Sequence, residues 1–193
     1  MSYEEKCQLL VIGDLSVGKT SLLVRYVNGI FDSNYLATIG LDFFTKDDEI
    51  DGKIVRIKIW DTSGHKRYQT LTKDFFHNAQ GIIIVYDVTN SETFENIKFW
   101  SNSIKAHIGN DINNTSVIII GNKIDLNERE VKQEDAKDYC KELGYPYFET
   151  SAKSGENVEK AIKYLVKKVL KNNNYNNNNN INITPHRTEN CHC

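Results

Sequence analysis

Four short segments of this 193-residue chain carry side chains of the kinds that hold a nucleoside triphosphate. The first is Gly13-Asp14-Leu15-Ser16-Val17-Gly18-Lys19-Thr20-Ser21, with the spacing Gly-x-x-x-x-Gly-Lys-Thr. Gly13 and Gly18 let the backbone wrap an anion, so that successive N–H groups along the loop, and the positive end of the following helix, point at the phosphates. Lys19 brings a point charge to the β- and γ-phosphates, and the Thr20 hydroxyl is a Mg²⁺ ligand. The second segment, Asp61-Thr62-Ser63-Gly64, ends the apolar run Ile57-Lys58-Ile59-Trp60. Asp61 alone reads equally well as a turn residue or as a magnesium-side carboxylate. Gly64 favours the second reading, because a residue without a Cβ lets its backbone N–H approach a terminal phosphate closely. In the third, Asn122-Lys123-Ile124-Asp125, the Asp125 carboxylate can accept two hydrogen bonds from N1–H and the 2-amino group of guanine, where adenine offers neither donor. The fourth, Ser151-Ala152-Lys153, fits a backbone N–H donor to guanine O6 and a lysine stem over the base. Each segment alone is weak; together and in this order they imply a site for GTP, GDP and Mg²⁺.

Such a site needs strands that deliver the four segments to one edge of a sheet. Cys7 to Ile12 is a short apolar run ending at the glycine-rich loop, and Lys19 to Val27 then carries Leu22, Leu23, Tyr26 and Val27 at helical spacing. Phe43 to Ile50 and Ile54 to Trp60 flank Asp51-Gly52, a two-residue hairpin signal, so these strands should be antiparallel neighbours. Gly81 to Val88 and Ser116 to Ile120 contain near-continuous β-branched runs typical of strands buried on both faces. Helices are expected over Ser91 to His107, with Ser91 as cap, over Glu134 to Leu143, and over about Asn157 to Leu170, with a short strand from Tyr147 to Glu149.

The alternation describes one α/β domain, and 193 residues suffice for a sizeable core but not for two ordinary domains. A net charge of -2 provides no basic field for nucleic acid or an anionic membrane. The segment Met1 to Lys6 lacks the basic and apolar regions of a signal peptide, and no apolar run approaches the roughly 20 residues of a membrane-spanning helix. Cys7 and Cys140 fall in apolar or amphipathic segments and read as small buried thiols. After Lys171, nine of the twelve residues from Asn172 to Ile183 are Asn. That segment is expected to be a disordered tether with a reach of roughly 25 Å, dividing a domain over 1–171 from a tail over 172–193. Cys191 and Cys193 stand at the far end of the tail; metal binding there with His186 and His192 fits no zinc spacing.

With these motifs in place, the chain resembles the Rab family of the Ras superfamily over residues 6 to 171 and at the terminus. The likeness rests on Thr38-Ile39-Gly40-Leu41-Asp42-Phe43, Arg56-Ile57-Lys58-Ile59-Trp60, Arg67-Tyr68-Gln69-Thr70-Leu71-Thr72, Ile83-Ile84-Val85-Tyr86-Asp87-Val88-Thr89 and Cys191-His192-Cys193. It implies a P-loop NTPase fold, the small G domain, with a six-stranded, mostly parallel sheet and helices on both faces. It implies that Thr38 completes the magnesium shell in the GTP state, that Phe31 packs edge-on against the base, and that Ile30 to Phe44 and Asp61 to Lys73 are switches ordered by GTP. From its own context Phe31 reads as core.

The resemblance further implies geranylgeranyl groups on Cys191 and Cys193. Two chains give stable anchoring where one gives marginal binding, placing the protein on the cytoplasmic side of an intracellular or plasma membrane with a cytosolic pool. Its implied partners are effectors, an exchange factor, a GTPase-activating protein and a dissociation inhibitor or escort protein, with Phe43, Trp60 and Phe75 as recognition residues. Two positions depart from the family: His65 stands where a glutamine usually orients the attacking water, and Leu15 where relatives carry Gly or Ser. Both imply slow hydrolysis. A third departure, Lys66 for the usual glutamate, bears on exchange. The function expected is a GTP/GDP switch in vesicle traffic, with Lys19, Gly64 and His65 as its catalytic residues. The alternative is a module that holds GTP almost permanently and recruits effectors. Asp125→Asn, which replaces one acceptor oxygen by a donor amide, should weaken GTP binding and admit xanthine nucleotides, as direct titration would show; unchanged GTP affinity would remove Asp125 from the base site.

Overall fold

In the computed structural model, residues 5–32, 38, 40–64, 75–109 and 115–181 are described, with side chains through Asn173. Among these residues eleven elements follow in order: β1 (Glu5–Gly13), α1 (Lys19–Asn28), β2 (Leu41–Ile50), β3 (Lys53–Thr62), β4 (Gly81–Asp87), α2 (Ser91–Glu95), α3 (Ile97–Ile108), β5 (Ser116–Asn122), α4 (Gln133–Leu143), β6 (Tyr147–Thr150) and α5 (Val158–Ile181). The six strands form one sheet in the order β2-β3-β1-β4-β5-β6, with β2 antiparallel to β3 and the other pairs parallel.

Period-two alternation sorts the strand side chains into two cores. Leu9, Val11, Ile57, Ile59, Ile83 and Val85 face α1 and α5, meeting Leu22, Leu23, Leu165 and Val166. Leu10, Ile12, Ile82, Ile84 and Tyr86 face the other way, onto Ile97, Trp100 and Ile104 of α3 and Ala136 and Cys140 of α4. Every residue of β4 and β5 is buried, as their apolar runs predict. The β2–β3 turn places Asp51 and Gly52 at φ 51° and 81°, the left-handed pair a two-residue hairpin requires. Cys7 and Cys140 are buried, and desolvation pushes each thiol up to about 12. No helix among the described residues is long and apolar enough to cross a membrane.

Two expectations are corrected. The helix predicted from Ser91 to His107 is two helices separated at Asn96, and the first is capped by Asn90, whose side chain accepts from Glu92 N and Thr93 N. Ser91 instead sends its N–H to a Glu130 carboxylate oxygen at 2.8 Å. The last helix does not stop near Leu170 but runs through the Asn tract to Ile181, so the segment expected to be a tether is helical as far as it is described. Its first turns are fixed by burial of Ala161, Ile162, Leu165, Val166 and Val169. Each added residue then gains a hydrogen bond with nucleation already achieved, which even indifferent helix formers can follow. The rest of the tail, with His186, Cys191, His192 and Cys193, lies outside the described residues.

Polar ties hold the β2–β3 hairpin to α5. Asp48 accepts from the Tyr26 hydroxyl at 2.9 Å and pairs with Lys163 at 3.2 Å, while Lys167 pairs with Asp51 at 2.5 Å. Partial burial pushes the Asp48 carboxyl up, but Tyr26 and Lys163 outweigh it and hold it below the ordinary value of 3.8. A depressed carboxyl contributes stability that is present above its unfolded-state value and lost as pH falls through the lower folded-state one. Asp48→Asn should therefore cost about 1–3 kcal/mol at neutral pH and flatten the acid limb of the stability curve below about pH 4. Denaturant unfolding of both proteins at a series of pH values measures this; parallel acid limbs would refute it.

Candidate functional site

The carboxyl ends of β1, β4, β5 and β6 lie side by side, with Gly13 opposite Val85, Asp87 opposite Asn122 and Asn122 opposite Thr150. Above this edge is a cavity of about 480 Å³. An open α/β sheet binds ligands there, where connections leave a central strand in opposite directions.

The phosphate loop forms one wall. Ser16 and Gly18 take positive φ, 63° and 90°, and α1 starts at once, with Gly18 as an N-cap that supplies no side-chain acceptor to the first turn. Those N–H groups face the cavity as an anion cradle. A Cβ on Gly18 would lie 2.5 Å from Asn122 Nδ2, so the loop can pass over that amide only with glycine. Lys19, 6% exposed, donates from Nζ to the carbonyls of Gly13 at 3.0 Å and Asp14 at 2.7 Å. Burial pulls its pKa from 10.5 down to about 8, against the opposing pull of Asp61 and Asp14, so phosphate charge beside it would favour the ammonium form.

Behind the loop, three oxygens converge. Thr20 Oγ1 donates to Asp61 Oδ2 at 2.5 Å, Thr38 Oγ1 donates to the same oxygen at 3.2 Å, and the two hydroxyls are 2.6 Å apart. Asp61 is fully buried; desolvation raises its pKa despite the hydroxyls and Lys19, and its Oδ1 has no hydrogen-bond partner among the described residues. An orphaned carboxylate oxygen beside two hydroxyls fits a hard divalent cation. One carboxylate and two hydroxyls suit an ion that takes few protein oxygens and shares its shell with phosphate and water, as Mg²⁺ does.

At the other end, Asn122 donates from Nδ2 to Val17 O at 3.0 Å while its Oδ1 accepts from Thr150 Oγ1 at 3.1 Å and Ala152 N at 3.2 Å. Asp125 Oδ1 accepts from Ser151 Oγ at 2.6 Å, which aims an otherwise exposed carboxylate over the cavity. Lys123, at φ 70°, is fixed by a 2.6 Å pair with Asp87. Leu15, Phe31, Lys123, Ala152 and Lys153 line the cavity, with Leu15 48% and Phe31 37% exposed. The core role that Phe31 suggests by itself does not hold.

Gly13, Asp14, Val17, Asp61 and Ser151 stand behind the lining rather than in it. His65, Lys66 and the stretch Arg67 to Thr72 lie outside the described residues, as does Ile39. Sequence reasoning missed two supports. Arg25 of α1 donates from Nε to Ala152 O at 2.8 Å and from a terminal nitrogen to Lys153 O at 2.5 Å, clamping the base loop. Asp87 orients Lys123. Neither belongs to a spaced motif; only the ending of β4 in a carboxylate could have pointed to Asp87. On the hairpin, Trp60 packs against Phe43 at 5.2 Å and Phe75 at 4.6 Å between ring centroids, with Lys58 Nζ 4.2 Å above Phe43 and 4.0 Å above Trp60. Phe43 is 49% exposed, so this strip is open on one side.

Comparison with known proteins agrees with this geometry. Residues 8–171 match the Ras family model. The chain is similar to the Ras-related protein RABD2a of Arabidopsis thaliana, 43% identical over 160 residues that span 82% of this chain and 77% of the relative. It is similar to the human Ras-related protein Rab-8B, 40% identical over 170 residues, 88% of this chain and 81% of the relative. It is also similar to the GTP-binding protein yptV2 of Volvox carteri, 40% identical over 170 residues, 87% and 77% of the two chains. The sheet, the guanine-nucleotide cavity and these likenesses together place the chain in the Ras family, among its Rab members: GTP-hydrolysing switches of membrane trafficking that bind GTP or GDP with Mg²⁺ and meet effectors, exchange factors, activating proteins and dissociation inhibitors.

Proposed function

We propose that this chain is a membrane-tethered timer whose nucleotide contacts are the residues of the cavity, with turnover slowed by its own departures from the family. The observation that carries the reading is the buried Asp61 with an unpartnered oxygen beside the Thr20 and Thr38 hydroxyls. These three residues would hold the cation, which when bound would supply neutralisation of phosphate charge. Thr38 comes from the segment preceding β2, so its hydroxyl couples that segment to the state of the site. Lys19 and the backbone from Gly13 to Ser21 hold the phosphates. Gly64 contacts the γ-phosphate through its N–H, and Asp125, Lys123 and the Ser151-Ala152-Lys153 loop hold guanine, with Phe31 at its edge.

His65 positions the attacking water less well than a glutamine amide, which both accepts and donates on one face, while an imidazole divides those roles between opposed nitrogens. Leu15 adds bulk beside the γ-phosphate. Family membership favours a cycling switch over a permanently loaded module. Partners that read the GTP state dock on the Phe43–Trp60–Phe75 strip. Cys191 and Cys193 carry two prenyl chains, which hold the protein on the cytoplasmic face of an intracellular or plasma membrane and allow extraction to a cytosolic pool.

Two experiments test the reading. His65→Gln should raise the single-turnover rate about tenfold, with a larger gain when combined with Leu15→Gly, and equal rates for wild type and His65→Gln would remove the slow-timer assignment. Deletion of Cys191 to Cys193 should leave nucleotide binding intact and release the protein from membranes on fractionation. A truncated protein that still pellets with membranes would show that its anchor lies elsewhere.

A further inference from the structure

A carboxylate at the second position of a loop built to receive phosphates is electrostatically costly unless something turns it away. Asp14 is turned away by α3. Its Oδ2 accepts from Asn96 Nδ2 at 2.7 Å and its Oδ1 from Trp100 Nε1 at 2.8 Å, and Trp100 is 4% exposed. Both oxygens are thereby directed at the helix, and Asp14 does not line the cavity. The same residue's carbonyl accepts from Lys19 Nζ. Its peptide link to Leu15 is the surface against which Gly64 rests: a Cβ on Gly64 would lie 2.3 Å from Asp14 C and Leu15 N and 2.4 Å from Asp14 O. Gly64 thus packs on that peptide with no room for a side chain between them, so a rotation of the Asp14–Leu15 peptide alters the surface on which Gly64 rests.

We propose that Asn96 and Trp100 are positioning residues: by fixing both oxygens of Asp14 they set the Asp14–Leu15 peptide, and through it Gly64, for recognition of the γ-phosphate. This rests on the assignment of Gly64 to the γ-phosphate. The latch acts more on the choice between GTP and GDP than on nucleotide binding in general, because the β-phosphate is also held by the loop N–H groups beyond Leu15 and by Lys19, which keeps a second anchor on Gly13 O.

The test compares equilibrium affinities for GDP and a non-hydrolysable GTP analogue, in the presence of Mg²⁺, across a small set of full-length variants. Asn96→Asp sets two carboxylates face to face and should weaken the analogue about tenfold more than GDP, with a parallel drop in single-turnover hydrolysis. The exchange Asp14→Asn with Asn96→Asp lets the new amide donate to the new carboxylate while an oxygen at position 14 still accepts from Trp100. It should recover the wild-type ratio to within about threefold. Trp100→Phe, which keeps a ring and loses only the N–H donor side, should shift the ratio in the same direction by less, and it decides the matter if Asn96→Asp fails to fold. Equal losses for the two nucleotides, an unchanged ratio, or an exchange that recovers nothing would each overturn the proposal, since a purely structural role lowers stability without altering the ratio. Gly64→Ala separates the two layers. If it leaves the ratio unchanged, the assignment of Gly64 fails and the latch with it; if it shifts the ratio while Asn96→Asp and Trp100→Phe do not, only the latch is overturned.

Discussion

One buried amide joins the two halves of the nucleotide cavity. Asn122 is 1% exposed, yet its side chain reaches the phosphate loop through Val17 O and the base loop through Ala152 N, with Thr150 Oγ1 as a further donor. A buried amide whose donors and acceptors are matched to backbone groups is expensive to displace, because every broken bond leaves a desolvated partner. It therefore fixes the separation between the part of the site that meets phosphate and the part that meets a base. Gly18 passes directly above it, and Arg25 clamps the base loop from the far side. The distance between the ends of a nucleotide is built into the protein before any ligand arrives.

Charge is handled by the same economy of contacts. Lys19 is buried and its pKa falls to about 8, and Asp61 is fully buried with one oxygen unpartnered, so both ions are held at a disadvantage in the free protein. A ligand that brings four or so phosphate charges and a divalent cation relieves both at once. Lys123 follows a different course, since Asp87 already neutralises it at 2.6 Å and leaves its stem to do the packing. The difference separates groups that respond to the ligand from groups that merely frame it.

The sheet and the segments around the cavity were legible in the sequence because they are written in local patterns: Val117 to Ile120 as a buried run, Asp51-Gly52 as a hairpin turn, and Gly18-Lys19-Thr20 at the entry to a helix. What escaped was set by contacts distant along the chain. The tie between Asn96 and Asp14 spans 82 residues, and no periodicity encodes it. Arg25 looks like an ordinary surface residue of α1 until the loop at Ala152 and Lys153, 127 and 128 residues on, folds against it. The Asn tract misled for another reason: composition alone judges a segment as if it stood free, whereas this one grows from the end of a helix already nucleated by its buried face.

That continuation changes the mechanics of the molecule. Residues Asn172 to Ile181 add about 15 Å at 1.5 Å per residue to a helix whose earlier turns are pinned to the hairpin by Lys163–Asp48 and Lys167–Asp51. A coil of that length would hold no direction relative to the sheet. A rod keeps direction as well as distance, so a torque applied at its far end arrives at the strands that carry Phe43 and Trp60. The helix thereby carries an orientation, not only a length, and the azimuth of the aromatic strip is fixed relative to its axis as far as Ile181.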